Sequence, residues 1–436
     1  MTQRAQPPLD SEIESELDAH REAHLAAPAD SQVAAAHRAG TAVRGVTGAI
    51  RDTHGAVASK VFASARRTVG PVVTPVEFAH DHIARAAYGA SAVALEGVAE
   101  AVGATAAKAA QAGRTSKFGR GTTRRASGVL AFVHGFNGDK MASSGRMPLS
   151  SPMSLRRSGE RVPATADGLA RAYPDATPQI VIFVHGFVGT EQMWKRHAHR
   201  DDDGRRLSYG RRLEAHGDWS ALWVRYNTGL RIKSNGLELA LLIEQVVDHW
   251  PVPVERVVLV GHSMGGLVAS SALLQWPTSS TWGPLVSDLI TLGTPYHGSP
   301  IEQGANYLAE FFSGYGATRW LGDVIQFRSE GIKDLRPGNL FLADTRGAMP
   351  DAAEWRQALA PQMVVRHLAV AGVLTKDPHA RLGGIIGDGI VPRASARAGA
   401  DNDLSRSTMM GSMSHNDLVN DPRVYEVIAD VLGVQA

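Results

Sequence analysis

Three side chains, widely separated along the chain, have the types needed for one reaction. Ser263 stands in Gly261-His262-Ser263-Met264-Gly265, Asp388 in Gly387-Asp388-Gly389, and His415 in Ser414-His415-Asn416-Asp417. A serine hydroxyl is a poor nucleophile near neutral pH. It needs a base, and the base needs a partner that fixes its tautomer. A serine, a histidine and a carboxylate so related pass an acyl group to the serine and then to water or an alcohol. Asp401 and Asp403 are rival acids, and His297 and His379 are rival bases.

The residues around Ser263 give that pattern its weight. Val257-Val258-Leu259-Val260 is an apolar, β-branched run that reads as a buried strand, and Leu267-Val268-Ala269 with Ala272-Leu273-Leu274 reads as a helix. A G-x-S-x-G pentapeptide is common by chance, but between a strand and a helix it makes a sharp turn with the serine at its apex. The flanking glycines let strand and helix pack closely, and the turn holds Ser263 in a strained backbone with an exposed Oγ. Acyl transfer also needs two N–H donors for the oxyanion. Met264, at the helix start, supplies one. The other is expected from a His-Gly-Phe turn after an early strand. Two copies exist, His134-Gly135-Phe136 and His185-Gly186-Phe187. The second stands directly ahead of the elements leading to Ser263, so Phe187 is the expected donor.

The elements that must position these groups alternate. Val129–Val133, Ile180–Val184, Ala221–Val224, Val257–Val260, Leu289–Leu292 and Leu368–Ala371 read as strands, and Gly236–Trp250 and a stretch around Val424–Ile428 read as helices. Such alternation predicts an α/β fold, a mostly parallel sheet with helices on both faces. Ligands of these sheets bind at the carboxyl ends of the strands, where the Gly-rich turns lie.

The motifs VIFVHGF, VRYNTG, GHSMGG, TLGTPYHGSP, GDGIVP and SHND, spread over residues 180–417, resemble the α/β-hydrolase superfamily. The resemblance is to its bacterial lipase and esterase branch, which includes GPI-inositol-deacylase-like proteins. It implies an α/β-hydrolase fold and a serine carboxylic ester hydrolase acting on acyl esters or lipids. Ser263, Asp388 and His415 are then the triad, in that family's chain order, and no metal or cofactor is needed. An acyltransferase uses the same acyl-enzyme. A non-catalytic lipid-surface protein is the alternative of another class.

Residues 1–112 are of different composition, rich in Ala, Gly and Val. Val43, Val46, Ile50, Val57 and Val61 recur at helical spacing, and Phe78, Ile83, Leu95, Val98 and Val102 form a second stripe beyond Pro71 and Pro75. They predict a helical hairpin, either an appendage packed on protein or a shallow lipid-surface contact. Arg114, Lys117, Arg120, Arg124 and Arg125 mark a basic linker over 113–125, and the hydrolase domain is expected over 126–436. Asn306–Phe312 and Trp320-Leu321 suggest a lid over an acyl pocket around 300–345, or an ordinary core helix and loop. Met193 and Trp194 line that pocket or pack beneath it.

Composition sets outer limits. A formal charge of +2 gives no strong nucleic-acid footprint, and the absence of cysteine excludes disulfides and thiolate chemistry. The polar, acidic N-terminus has no apolar core of a secretory signal, and no apolar run is long enough to span a bilayer. The expectation is a cytoplasmic protein, with peripheral lipid contact through residues 1–125 as one reading.

Overall fold

The apolar runs from Ile180 onward become central strands of one sheet, each run buried from end to end. In the computed structural model the described residues are 153–200, 204, 206–276, 280–297, 334, 359, 362–380, 383–384, 387–397 and 404–434. Residues 1–152, which hold the expected hairpin, linker, Val129–Val133 strand and first His-Gly-Phe, lie outside them, as do Asp401, Asp403 and all of the 300–345 segment except Asp334.

In chain order the described elements are β1 (Ser154–Arg157), β2 (Glu160–Val162), α1 (Ala166–Ala172), β3 (Gln179–Val184), α2 (Tyr209–Ala215), β4 (Trp219–Arg225), α3 (Ile232–His249), β5 (Arg256–His262), α4 (Met264–Leu274), β6 (Val286–Leu292), β7 (Arg366–Gly372), β8 (Ser405–Met410) and α5 (Pro422–Leu432). A 3₁₀ turn, Glu191–Lys195, follows β3. The strands form a sheet in the order β8-β7-β6-β5-β3-β4-β1-β2. From β8 to β4 every pairing is parallel, and β1 and β2 are added antiparallel at one edge.

Side-chain alternation divides the sheet's two faces. Val181, Phe183, Trp223, Val258, Val260, Ile290 and Val370 point into one cluster, completed by Tyr209 and Leu213 of α2 and by Val424, Tyr425, Ile428 and Leu432 of α5. The residues between them, such as Ile182 and Leu259, are equally buried. On that side α4 packs on β3, β5 and β6, with α3 against α4. This is the expected mostly parallel sheet covered on both faces.

Three departures from expectation have physical causes. The helix expected from Gly236 begins at Ile232, because the Asp334 carboxylate accepts from the Ile232 N–H at 3.0 Å. This cap comes from more than a hundred residues away. The β1–β2 hairpin was not expected. Its strands are short, and it turns at Ser158 and Gly159, both at positive φ (56° and 92°). Nor was β8, whose Arg406, Ser407 and Thr408 are not fully buried, as suits an edge strand.

Candidate active site

The strand–turn–helix around Ser263 forms as its sequence requires. Ser263 has φ 52° and ψ −124°, a conformation that costs an L-residue of order 1–3 kcal/mol. The geometry is held on both sides: the Ser263 N–H donates to the Leu292 carbonyl at 2.8 Å, and the Thr294 hydroxyl donates to the Ser263 carbonyl at 3.1 Å. Gly265 explains how close the turn comes to β3, since a Cβ there would stand 2.2 Å from the Val184 carbonyl oxygen. One expectation needs correction. Ser263 is only 1% exposed, so its side chain is enclosed rather than presented to solvent. The Gly186 turn closes over it: a Cβ on Gly186 would lie 3.1 Å from the Ser263 Cβ.

Asp388 and His415 meet. The His415 Nδ1–H donates to Asp388 Oδ2 at 2.7 Å, with Asp388 fully buried and His415 nearly so. The other carboxylate oxygen, Oδ1, accepts from the Ile390 and Val391 N–H groups at 3.0 and 2.8 Å. Gly387 makes this turn possible with φ 60°, because a Cβ there would fall on the Val391 carbonyl. The His415 N–H also donates to the Asp388 carbonyl at 3.0 Å, so two bonds lock the loops together. The rival bases are exposed, and their described hydrogen bonds go elsewhere: the His297 N–H donates to Ser395 Oγ, and the His379 N–H to Asp377.

His262, immediately before Ser263, joins the two halves. Its Nε2–H donates to the His415 carbonyl at 3.0 Å, and the two rings lie 4.6 Å apart. Burial and the neighbouring His415 hold His262 well below the usual histidine pKa, so it stays neutral. A residue in the variable position of G-x-S-x-G carries no signal of such a role in sequence. Asn420 went unnoticed for the same reason. At φ 79°, it donates to the Trp194 and Arg196 carbonyls at 2.9 and 2.6 Å and accepts from the Tyr209 N–H at 2.9 Å. It ties the His415 loop to the segment that follows the Gly186 turn.

That turn is shaped from within. The Val188 N–H donates to Thr228 Oγ1 at 3.1 Å, the Gly189 N–H to the Gly186 carbonyl at 3.0 Å, and the Gly186 N–H to Met193 Sδ at 3.3 Å. These three groups are bonded within the turn or to the residues packed against it. Met193 and Trp194 are buried, with the Trp194 edge against Phe183 and His262, so they pack beneath the turn. His185 is fully buried and stacks on Tyr226 at 4.4 Å. Its Nδ1–H donates to the Gly186 carbonyl at 2.9 Å, and its Nε2 accepts from the Tyr226 N–H at 3.4 Å.

Burial lowers the His185 pKa to about 4. A histidine depressed in the folded state gives stability that is present above its unfolded pKa of about 6.5 and is lost as pH falls through the folded value. Between those limits His185 alone should cost on the order of 3 kcal/mol, with His262 adding in the same direction. Urea unfolding across this range should show the loss, and His185→Gln should flatten it. An unchanged slope in that variant would clear His185 of the effect.

Residues 175–318 match the family model of the PGAP1-like alpha/beta domain. No curated protein matches the chain. Among solved structures, the mature form of a Bacillus licheniformis lipase is 20% identical, with a TM-score of 0.38 over 58% of this chain and 91% of that one. A Pyrococcus furiosus esterase is 13% identical, with a TM-score of 0.38 over 59% of this chain and 82% of its own. The lin2722 product of Listeria innocua is 16% identical, with a TM-score of 0.34 over 59% and 95%. Among the described residues no helix is long and apolar enough to cross a membrane. The family match over residues 175–318, together with the sheet order and the turn at Ser263, supports an α/β-hydrolase superfamily assignment.

Proposed function

We propose that the protein is a serine carboxylic ester hydrolase, lipase- or esterase-like, acting on acyl esters. The observation that carries this reading is the His415–Asp388 pair, buried and bonded at 2.7 Å, against the residue that precedes a strained Ser263. Ser263 Oγ attacks the ester carbonyl while His415 Nε2 takes its proton. The N–H groups of Met264 and Phe187 receive the negative charge on the carbonyl oxygen. As the tetrahedral intermediate collapses, His415 returns the proton to the leaving alcohol. Water then enters, gives its proton to His415 and releases the acid from Ser263. Asp388 keeps the Nδ1 proton in place and balances the imidazolium. No step calls for a metal or an organic cofactor.

A serine-reactive phosphonate, followed by peptide mapping, tests the reading. The label belongs on Ser263, and p-nitrophenyl esters of graded chain length should be turned over until it is attached. Label on another serine, or none at all, would overturn the mechanism. Added acceptor alcohol tells hydrolysis from acyl transfer by its product.

Residues 1–125 contain none of the proposed site. They serve location in this reading, as a peripheral contact with lipid surfaces. Their removal should leave turnover of a soluble short-chain ester within about twofold and weaken sedimentation with anionic vesicles, whose pull on a basic segment is about 1 kcal/mol per charge. An inactive or insoluble truncation would move the domain boundary to the N-terminal side. Equal sedimentation of both proteins would end the lipid-contact role.

A further inference from the structure

Arg156 is a partly buried cation whose neighbouring carboxylate, Glu191, is bonded to another arginine. It lies on β1, opposite Trp223 of β4 and Arg161 of β2. Its Nε is buried without a hydrogen bond. The carboxylate beside it, Glu191, is spent on another residue: Arg225 Nε donates to Oε2 at 2.6 Å, a second Arg225 nitrogen donates to Oε1, and the Gln192 side-chain amide also donates to Oε1 at 2.8 Å. Two guanidinium groups therefore share one carboxylate that is bonded bidentately to only one of them. Burial lowers the Arg156 pKa to about 10, and the like charge of Arg225 adds to this effect while Glu191 opposes it. Proteins seldom keep a desolvated charge without a partner, because the desolvation is costly and an apolar residue of similar size avoids it.

The surroundings supply the reason to keep it. A cavity of about 290 Å³ opens onto Arg156, and its wall also carries Lys195, Arg211 and the Ser208 hydroxyl. These come from β1, the 3₁₀ turn, α2 and the residue before α2, so they converge from different directions. Arg211 is braced by Glu214 at 2.7 Å and lies over the Trp223 ring. The one carboxylate in the wall, Glu191, is already matched by Arg225. The wall thus sets the Arg156 and Arg211 guanidinium groups and the Ser208 hydroxyl around one volume. That suits a tetrahedral dianion better than a single planar carboxylate, and a guanidinium fork can bind two of its oxygens at once.

We infer that this cavity is a binding site for a phosphate group, either free or at the head of a phospholipid, held chiefly by the Arg156 guanidinium. It contains no residue of the proposed active site and does not depend on that reading.

The test uses the full chain in phosphate-free buffer at constant ionic strength. Inorganic phosphate, titrated by calorimetry, should bind saturably and raise the melting temperature. Arg156→Gln should weaken that binding about tenfold or more, the scale for losing a charge-assisted bidentate contact. Arg161→Gln, an exposed change one strand away, should alter it by no more than about twofold. If Arg156→Gln does not fold, Arg156→Lys, which keeps the charge and loses the fork, carries the same comparison. Phosphatidylcholine vesicles containing phosphatidic acid separate the sources. Sedimentation that depends on Arg156 assigns the site to a lipid head, whereas phosphate binding without such sedimentation assigns it to a soluble phosphate. Absence of saturable phosphate binding in the wild type, or an equal loss in Arg161→Gln, would overturn the site.

Discussion

Alanine at position 263 is expected to lower kcat on a short-chain ester by roughly 10⁴- to 10⁶-fold, the range for removing the nucleophile of a serine triad. KM should move little, because the groups that receive the substrate stay in place. The backbone makes a second comparison available. Serine and alanine both carry a Cβ, so Ser263→Ala retains the strain at φ 52°. Ser263→Gly releases it and should unfold at higher denaturant than Ser263→Ala, by about 1 kcal/mol after glycine's entropic penalty. The two inactive variants should therefore differ in stability while agreeing in rate. Substantial activity in either would remove Ser263 from the mechanism, and equal stability would show that the turn stores no strain.

Asp388→Asn should keep the fold and lose about 10⁴ in kcat. The cause lies in which way the amide must face. The Asp388 Oδ1 position takes two N–H bonds, from Ile390 and Val391, and only an oxygen can accept both. The asparagine oxygen is therefore fixed there, and its NH₂ points at His415 Nδ1. Nδ1 must then accept, the ring proton moves to Nε2, and Nε2 can no longer take a proton from serine. Rates near wild type would point to a different acid, with Asp401 and Asp403 the first to replace.

Legibility followed burial. β3, β5, β6 and β7 are covered on both faces, so their sequences carry apolar runs that mark them as strands, whereas the placing of β4 outside β3 leaves no mark in the sequence. β8 and the β1–β2 hairpin stand at the edges. Arg406 and Thr408 of β8 have no need to be apolar, so periodicity has nothing to register. The proposed site residues Ser263, Asp388 and His415 stand out in the sequence because each occupies a turn whose glycines or polar neighbours mark it. His262, Asn420 and Asp334 do not. Each acts through one hydrogen bond, or a few, to a backbone group far along the chain, and no local pattern encodes a bond of that kind. The enclosure of Ser263 was missed for a related reason: a sequence can specify a turn without saying what folds over it.

The parallel pairing of β6 with β7, from Asp288 beside Arg366 to Leu292 beside Val370, has a consequence for how such a protein can change over time. The two strands are joined by residues 293–365, and the cost of closing a loop rises only with the logarithm of its length, about 0.6 kcal/mol for each doubling. Among the described residues of that connection, Asp334 is bonded to the start of α3. By that scaling the connection can change in length at little thermodynamic penalty, provided the strand register and the Asp334 bond are kept. The connection begins at the end of β6, where Leu292 pairs with His262 beside Ser263. This part of the chain is therefore where new substrate preferences can be grafted by recombination while the sheet itself is inherited unchanged.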